Sequence, residues 1–267
     1  MWSSLNIRCV SKINDVVCQP KKLSKQRSLN PYEEVKHEHE VQFGSEIMKS
    51  IINYKEPSPP SSFKEINTGE PSRKVIEKIL QCALPNTKSS KILKIKRVFR
   101  VKNSPEVVDN FEKYRDMVKQ KAKKTEYRQP RSVVDGNELL CFYVTTMTCH
   151  GGQIELFSTP CEHSDCNLCQ TISSSFDTKY TKRFGIQLCM SSEALSKSIT
   201  AVSKGKNTKR VVIICRIIAG RIRAIKDRTS EDDYDSVRNF AGFCFNSEHL
   251  IVKNPNAVLP CFFVVLS

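Results

Sequence analysis

The C-terminal run VLPCFFVVL, at positions 258–266, constrains the fold of this chain more than any other feature. It carries no charged side chain, and a strand this apolar is stable only when both of its faces are covered. The stretches Val211–Ile218 and His249–Val252 are also rich in β-branched and aliphatic residues. We therefore expect these segments to be interior strands of a sheet that helices cover.

The rest of the pattern predicts an α+β fold. The segment PSRKVIEKILQCAL places Val75, Ile76, Ile79 and Leu80 on one helical stripe. Asn103–Ser104–Pro105 then provides cap residues for a helix that continues to KQKAKK. Further strands are expected at Ile92–Val101, Leu139–Thr146, Ile154–Ser158 and Gly185–Cys189, and a further helix at Ser192–Val202.

Residues 1–70 differ in composition from the rest of the chain. They include KKLSKQR, PYEEVKHEHE and EPSPPSSF, which mix blocks of charge with Pro and Ser and offer little periodic apolar surface. This composition predicts a mostly disordered N-terminal extension over residues 1–70. Residues 71–267 are then expected to form one folded domain.

The apolar runs are too short for a membrane span, which needs about 18 residues or more. The N-terminus also has no apolar stretch of the kind that a secretory signal requires. The sequence therefore predicts no membrane association. Its 12 Cys are expected to be reduced thiols or metal ligands.

The chain is strongly basic, with Lys+Arg 43, Asp+Glu 28 and a net charge of +15. Such a charge attracts polyanions, and phosphates would meet the basic strand Lys91–Lys102, the helix end Lys119–Lys124 and the loop Lys204–Arg210. The alternative is a charge that only adds solubility, because stacking aromatics are not interleaved with these runs as in single-strand binders. The run KKLSKQR favours the nucleus over the cytoplasm.

The densest chemical feature is a group of metal-ligating residue types within 21 positions. CHGG at 149–152 is followed by CEHSDCNLC at 161–169, which gives the candidate ligands Cys149, Cys161, His163, Cys166 and Cys169. The spacing Cys166-x-x-Cys169 suits half of a tetrahedral zinc site, and a closed site takes four ligands. Free thiols without a role and a redox pair are the alternatives.

No GxGxxG, GxxxxGK[ST], GxSxG or HExxH motif is present. Six segments, however, occur in a familiar order: FEKYRDMVKQKA (111–122), DGNELLCFYVTTMTC (135–149), CNLCQTISSSF (166–176), GIQLCMSSEA (185–194), VVIICRIIAGRI (211–222) and NSEHLIVKNPNAVLPCFFVVL (246–266). Together they resemble a plant family of zinc-finger proteins with a poly(ADP-ribose) polymerase-like domain at the C-terminus. Family members often carry a C2H2 finger before this domain, but residues 31–70 of this chain contain no Cys.

The resemblance implies a split antiparallel sheet of the ADP-ribosyltransferase type with flanking helices. In active members of the wider superfamily, a His in an HG[ST] strand holds the NAD ribose, an aromatic ring stacks on nicotinamide, and a Glu polarises a ribose hydroxyl. In this chain Tyr143 stands at the His position with Thr145 retained, Gln187 after Gly185 replaces the aromatic ring, and only Glu248 matches its counterpart. A bulky ring at the ribose position and the loss of a stacking partner both weaken NAD capture.

These replacements favour a catalytically degenerate domain that works as a binding module for an unidentified protein partner, with NAD a doubtful ligand. A second hypothesis is a weak or altered NAD-dependent mono-ADP-ribosyltransferase that uses Glu248. A third is a zinc-containing, nucleic-acid-associated protein that uses the basic surface.

Overall fold

A computed structural model describes residues 60–84, 94–124, 130–149, 158–202, 208–224, 234–240 and 248–267. The chain divides into two compact units, Met1–Ser58 and Pro59–Ser267, and every described residue lies in the second. Most of the N-terminal extension expected over residues 1–70, and nearly all of the strand expected at Ile154–Ser158, fall outside the described residues.

The described part of the chain contains nine strands and six α-helices. The strands are β1 (Ser62–Glu65), β2 (Ile95–Lys102), β3 (Glu138–Met147), β4 (Ile186–Cys189), β5 (Lys209–Ile218), β6 (Ile222–Ala224), β7 (Ser236–Phe240), β8 (Glu248–Val252) and β9 (Val258–Leu266). The helices are α1 (Pro71–Ala83), α2 (Pro105–Lys124), α3 (Pro130–Asp135), α4 (Asn167–Ser173), α5 (Lys179–Phe184) and α6 (Ser192–Ala201).

All nine strands belong to one mixed sheet in the order β1-β2-β9-β5-β3-β4-β8-β7-β6. Every pairing is antiparallel except β6 with β7. The sheet is almost divided between β3 and β4, because Phe142 and Cys189 are the one residue pair that joins these strands. The α+β class predicted from the sequence is confirmed.

The most apolar strands lie at the centre of the sheet, as predicted. All nine residues of β9 are buried, and its neighbour β5 is buried at every position except Lys209, Arg210 and Arg216. The first face of the sheet, which carries Ile213 and Phe263, packs against α2 and α4. The second face, which carries Ile214 and Phe262, lies on the side of α1 and α6. Covering both faces explains why neither strand needs an alternating polar residue.

Helix α2 begins as the sequence predicts and buries Phe111, Tyr114 and Val118. Its first turn is capped by Ser104, whose Oγ accepts a hydrogen bond from the backbone N–H of Val107 at 3.3 Å. The basic residues predicted near its end are present in the last turn, where they offset the negative end of the helix dipole.

A charged cluster connects α2 to the beginning of β3. The Glu138 carboxylate accepts a hydrogen bond from Arg115 Nη2 at 2.6 Å and another from Arg216 Nη2 at 3.1 Å. Both guanidinium groups lie 5.3 Å from the ring centroid of Phe111. We call Glu138, Arg115, Arg216 and Phe111 the Glu138 cluster; it fixes α2 to β3 and β5.

Within the described ranges, no helix is both long enough and apolar enough to cross a membrane.

Candidate metal centre

Four cysteines from three chain segments converge beside the first face of the sheet. Cys149 follows the end of β3, Cys161 lies in the loop before α4, Cys166 is the N-cap residue of α4 and Cys169 lies in its first turns. The four Sγ atoms all lie within 4.8 Å of one another. We call these residues the thiol cluster.

The local sequence explains how two of the four thiols come together. The backbone N–H of Cys166 donates to the His163 carbonyl at 3.1 Å, which closes a turn just before α4. The backbone N–H of Gln170 then donates to the Cys166 carbonyl at 3.0 Å and begins the helix. A spacing of three residues at a helix start places both side chains on one side. Leu168, between them, is fully buried and anchors the helix in the core.

The spacing of the sulfur atoms fits a tetrahedral metal. With metal–sulfur bonds of about 2.3 Å, two ligands of a zinc site lie about 3.8 Å apart. Cys149 Sγ lies 3.4 Å from Cys166 Sγ and 3.8 Å from Cys169 Sγ. All four cysteines are free thiols, so none is committed to a disulfide. These four residues could therefore bind one metal ion.

The close contact of the thiols changes their acidity. Hydrogen bonds with Cys149 and then with Cys169 lower the pKa of the Cys166 thiol. The hydrogen bond with Cys166 raises the pKa of Cys149 to about 12, and hydrogen bonds with Cys149 and Cys166 also raise the pKa of Cys169. The cluster therefore favours a thiolate at Cys166, and thiolates are the form that binds metals.

His163, the fifth candidate ligand from the sequence, is exposed and stands outside this group. Its backbone carbonyl takes part in the turn before α4, but its imidazole is not among the four ligand atoms. The sequence alone left five candidates for four positions, and the folded loop selects the four thiols.

The residues expected at the NAD site lie in different surroundings. Tyr143 is largely buried and packs edge-on against Phe176, with ring centroids 5.2 Å apart. Its burial raises its pKa, while a hydrogen bond with Thr171 of α4 opposes that shift. Thr145 is buried in the same strand. The Tyr143 ring thus fills space between β3 and the segment that includes α4.

Gln187 is exposed and lies on the other face of the sheet. Because Phe142 pairs with Cys189, Gln187 shares a face with Phe142, whereas Tyr143 points to the opposite face. Gly185, just before β4, has a φ of 76°, and a Cβ there would lie 2.6 Å from Ile251 Cγ2. Gly185 therefore has a structural reason to be glycine. Glu248 begins β8 and pairs with Phe240; its side chain lies outside the described part of the structure.

Two features were missed from the sequence. Ser198 Oγ lies 3.3 Å from Cys189 Sγ and 3.4 Å from His249 Nε2, and His249 is 8% exposed with its Nδ1 atom unpartnered. The second feature is a pair of exposed rings on α5, Tyr180 and Phe184. The segment KYTKRF carries that signal, because its two aromatic residues lie among three basic ones; it is not one of the basic runs named from the sequence.

The basic segments named from the sequence are also partly engaged in the fold. Arg97 of β2 pairs with Glu65 at 2.6 Å and lies 4.6 Å from the Phe99 ring centroid. Lys121 of α2 lies 3.3 Å from Asp235. Lys94, Lys96 and Lys102 are exposed, while the loop at 203–207 falls outside the described residues.

Comparison with known proteins adds no assignment. No protein-family model matches the sequence, and a search of curated proteins also gives no match.

Proposed function

We propose that this chain contains a catalytically degenerate ADP-ribosyltransferase-like domain, braced by a structural zinc ion, that works as a binding module. Two features support the fold assignment: the six sequence segments occur in the order of that family, and the sheet is joined between β3 and β4 by a single residue pair. In this proposal the domain does not transfer ADP-ribose efficiently.

One observation carries the functional part of this proposal. Tyr143 and Gln187, at the positions that resemble the ribose-binding and nicotinamide-binding residues, lie on opposite faces of the sheet. Gln187 is exposed and offers no ring on which nicotinamide could stack. Because Tyr143 also packs against Phe176, its ring closes space instead of presenting a donor to a ribose. A binding role is compatible with this loss of catalysis, because binding a partner elsewhere on the domain does not depend on Tyr143 or Gln187.

Zinc is the metal that best suits the thiol cluster. Four thiolates in a closed tetrahedral arrangement are typical of structural zinc, which has no open position for a substrate. The ion would join the end of β3 to α4, and so hold Tyr143 against its neighbours. Its role in this proposal is to stabilise the fold.

The proposal is tested by titrating the 267-residue chain with millimolar NAD and following the melting temperature. A ligand that binds only the folded state must raise that temperature. We expect no shift for the natural protein or for the control Glu248→Gln. A clear rise that Glu248→Gln abolishes would replace the proposal with the weak transferase, and release of nicotinamide by the natural protein would do the same.

A double variant tests the loss of NAD binding in this proposal. Restoring the family residues, Tyr143→His with Gln187→Tyr, should restore some NAD binding, because it returns a compact donor and a stacking ring to these positions. An unchanged melting temperature of this variant at millimolar NAD would contradict a decayed NAD cleft. Metal analysis of the purified chain tests the zinc separately, with an expected content of about one ion per chain and loss of that ion in Cys169→Ser.

A further inference from the structure

Helix α5 presents two aromatic rings to solvent. Tyr180 is 60% exposed and Phe184 is 54% exposed, and their ring centroids lie 4.9 Å apart. Both belong to the segment KYTKRF, so Lys179, Lys182 and Arg183 surround them. The helix is anchored on its other side by Thr181, which is buried and hydrogen-bonds with the carbonyl of Phe176. The rings are therefore held in place without being covered.

The cations of α5 lie close to these rings. The Arg183 guanidinium lies 5.1 Å from the Phe184 ring centroid. Lys182 is 67% exposed at its side chain and pairs with Asp177 at 3.3 Å. A planar guanidinium over an exposed ring is an arrangement that also suits a stacked base and its phosphate.

A second group of ring and cations lies at the same end of the sheet. The Tyr234 ring centroid lies 4.2 Å from the Arg223 guanidinium and 5.7 Å from Lys253 Nζ. Asp235, next in sequence, accepts a hydrogen bond from the backbone N–H of Arg221 at 2.8 Å and pairs with Lys121. Asp235 is thus engaged within the fold, while Glu231, Asp232 and Asp233, which precede Tyr234 in the sequence, lie outside the described residues.

The strand register brings the two groups together. Val252 of β8 pairs with Ile186 of β4 on one side and with Ser236 of β7 on the other. Phe184 precedes β4, Tyr234 precedes β7 and Lys253 follows β8, so all three come to one edge. Gly185 lies against this edge, since a Cβ there would be 3.2 Å from the Val252 carbonyl oxygen. We call Tyr180, Arg183, Phe184, Arg223, Tyr234 and Lys253 the aromatic–basic surface.

We propose that the aromatic–basic surface binds a single-stranded polynucleotide, with bases stacked on Tyr180 and Phe184 and phosphates beside Arg183, Arg223 and Lys253. Exposed rings offer stacking faces that every base can use, and adjacent cations follow the phosphates. The net charge of +15 adds long-range attraction for a polyanion. An acidic peptide would use the cations but would leave the two exposed rings without stacking partners. This inference gives the binding role proposed above a partner, and rests on that role.

The test measures binding of the 267-residue chain to a labelled oligouridine RNA of about twelve nucleotides by fluorescence anisotropy. Tyr180→Leu with Phe184→Leu keeps apolar side chains but removes both rings, and should weaken binding by roughly tenfold or more. Val134→Ala, at another exposed apolar position on α3, is the matched control and should bind as the natural protein does. Because the replaced rings are exposed, we expect the two variants to have equal melting temperatures. That result shows that the fold is kept.

The salt dependence tests the cations. Arg183→Gln with Lys253→Gln should reduce the slope of log affinity against log salt by about 1.4, as expected for two phosphates of a single strand. Lys113→Gln, at an exposed position on α2, should leave the slope unchanged. A thymidine DNA of the same length distinguishes RNA from DNA, and binding to either supports the proposal.

Three results would overturn it. These are equal binding of a duplex, no effect of removing both rings, or tighter binding of a poly-glutamate peptide than of either oligonucleotide. The oligonucleotide readout is separate from the NAD titration, so NAD binding by the chain would contradict the proposed function without deciding this inference.

Discussion

The two ends of β3 are both held to neighbouring segments, but by groups of different charge. At its beginning, the Glu138 carboxylate meets two guanidinium groups from α2 and β5. Just past its end, Cys149 meets three other thiols. The first end brings opposite charges together within the chain, whereas the second brings together four groups that become anions on losing a proton. A metal cation from outside the chain would neutralise this second end once its thiols lose their protons.

The comparison shows that burial and convergence do not by themselves define a binding site. Glu138 and Arg216 have side chains only 14% and 11% exposed, yet each satisfies the other, so this cluster has a structural role. The thiol cluster is also largely enclosed, but its ligands are of one kind, and their spacing suits a metal. Both ends are largely buried. They differ in charge: the Glu138 cluster contains groups of both signs, whereas the thiol cluster contains only groups that can become anions.

Breaking the thiol cluster should have the largest effect. Cys166→Ser removes one of the four thiols, and should lower the free energy of unfolding by more than about 4 kcal/mol, because the zinc ion proposed for the cluster would be lost with it. Chemical denaturation with metal analysis measures both losses. The control is Cys82→Ser, at an exposed cysteine outside the cluster, for which we expect no change. An unchanged stability in Cys166→Ser would contradict a structural metal.

Breaking the Glu138 cluster should have the next largest effect. Glu138→Gln leaves Arg115 and Arg216 with the more exposed carboxylate of Glu112 as their shared partner, and should destabilise the fold by about 3 kcal/mol with metal content unchanged. The urea midpoint measures this loss. Glu112→Gln is the matched control, because Glu112 also pairs with Arg115 but its side chain is 43% exposed; its effect should stay below about 1 kcal/mol.

His249 provides a smaller effect that sharpens the comparison, because it depends on a proton alone. Burial first, and then the charge of Lys197, lower the pKa of its imidazole. The unfolded chain therefore binds this proton more tightly than the folded chain does. The stability that neutral His249 contributes is fully present above the ordinary histidine pKa of about 6.5, and it is lost as the pH falls through the lower pKa of the folded state.

The measurement compares urea midpoints at pH 8 and pH 5 for His249→Gln and its parent, both in the Cys166→Ser background. That background removes the pH dependence of metal binding. The loss of stability on acidification should be smaller in His249→Gln. An identical loss in both proteins would show that His249 does not carry it. Cys189 and Ser198, which face the imidazole, are present in both.

The smallest expected effect is the coupling between the two ends of β3. The strand has ten residues, so its ends lie roughly 30 Å apart. The double variant Cys166→Ser with Glu138→Gln should therefore lose the sum of the two single losses, within about 0.5 kcal/mol. A larger deviation would mean that the metal centre and the charged cluster act as one unit.

Much of the fold was predictable because its signals are local or strongly periodic. The apolar strands β5 and β9 and the capped helix α2 appear close to the expected positions. The positions of helices α4 and α5 were not predicted, since each is only six or seven residues long and too short for a stripe to repeat. Strand β1 was missed for the same reason, at four residues.

The candidate site was also predicted only in part from the sequence. The sequence identified the four thiols and the spacing Cys166-x-x-Cys169. It also included His163, because the geometry of the folded loop, which the sequence does not give, decides which side chains turn inward. It identified Tyr143 and Gln187 from family resemblance but could not place them on a common face. That relation depends on a single cross-strand pair, Phe142 with Cys189.

The sequence by itself determined that this chain builds an α+β core around strands too apolar for a surface, and that it concentrates thiols before and within α4. Only the tertiary structure decided that four thiols meet, that Glu138 meets two cations, and that Tyr180, Phe184 and Tyr234 approach one edge of the sheet. The physical reason is range. Hydrophobic period and helix caps act between neighbouring residues, whereas convergence depends on strand register and on which segments pack across the sheet.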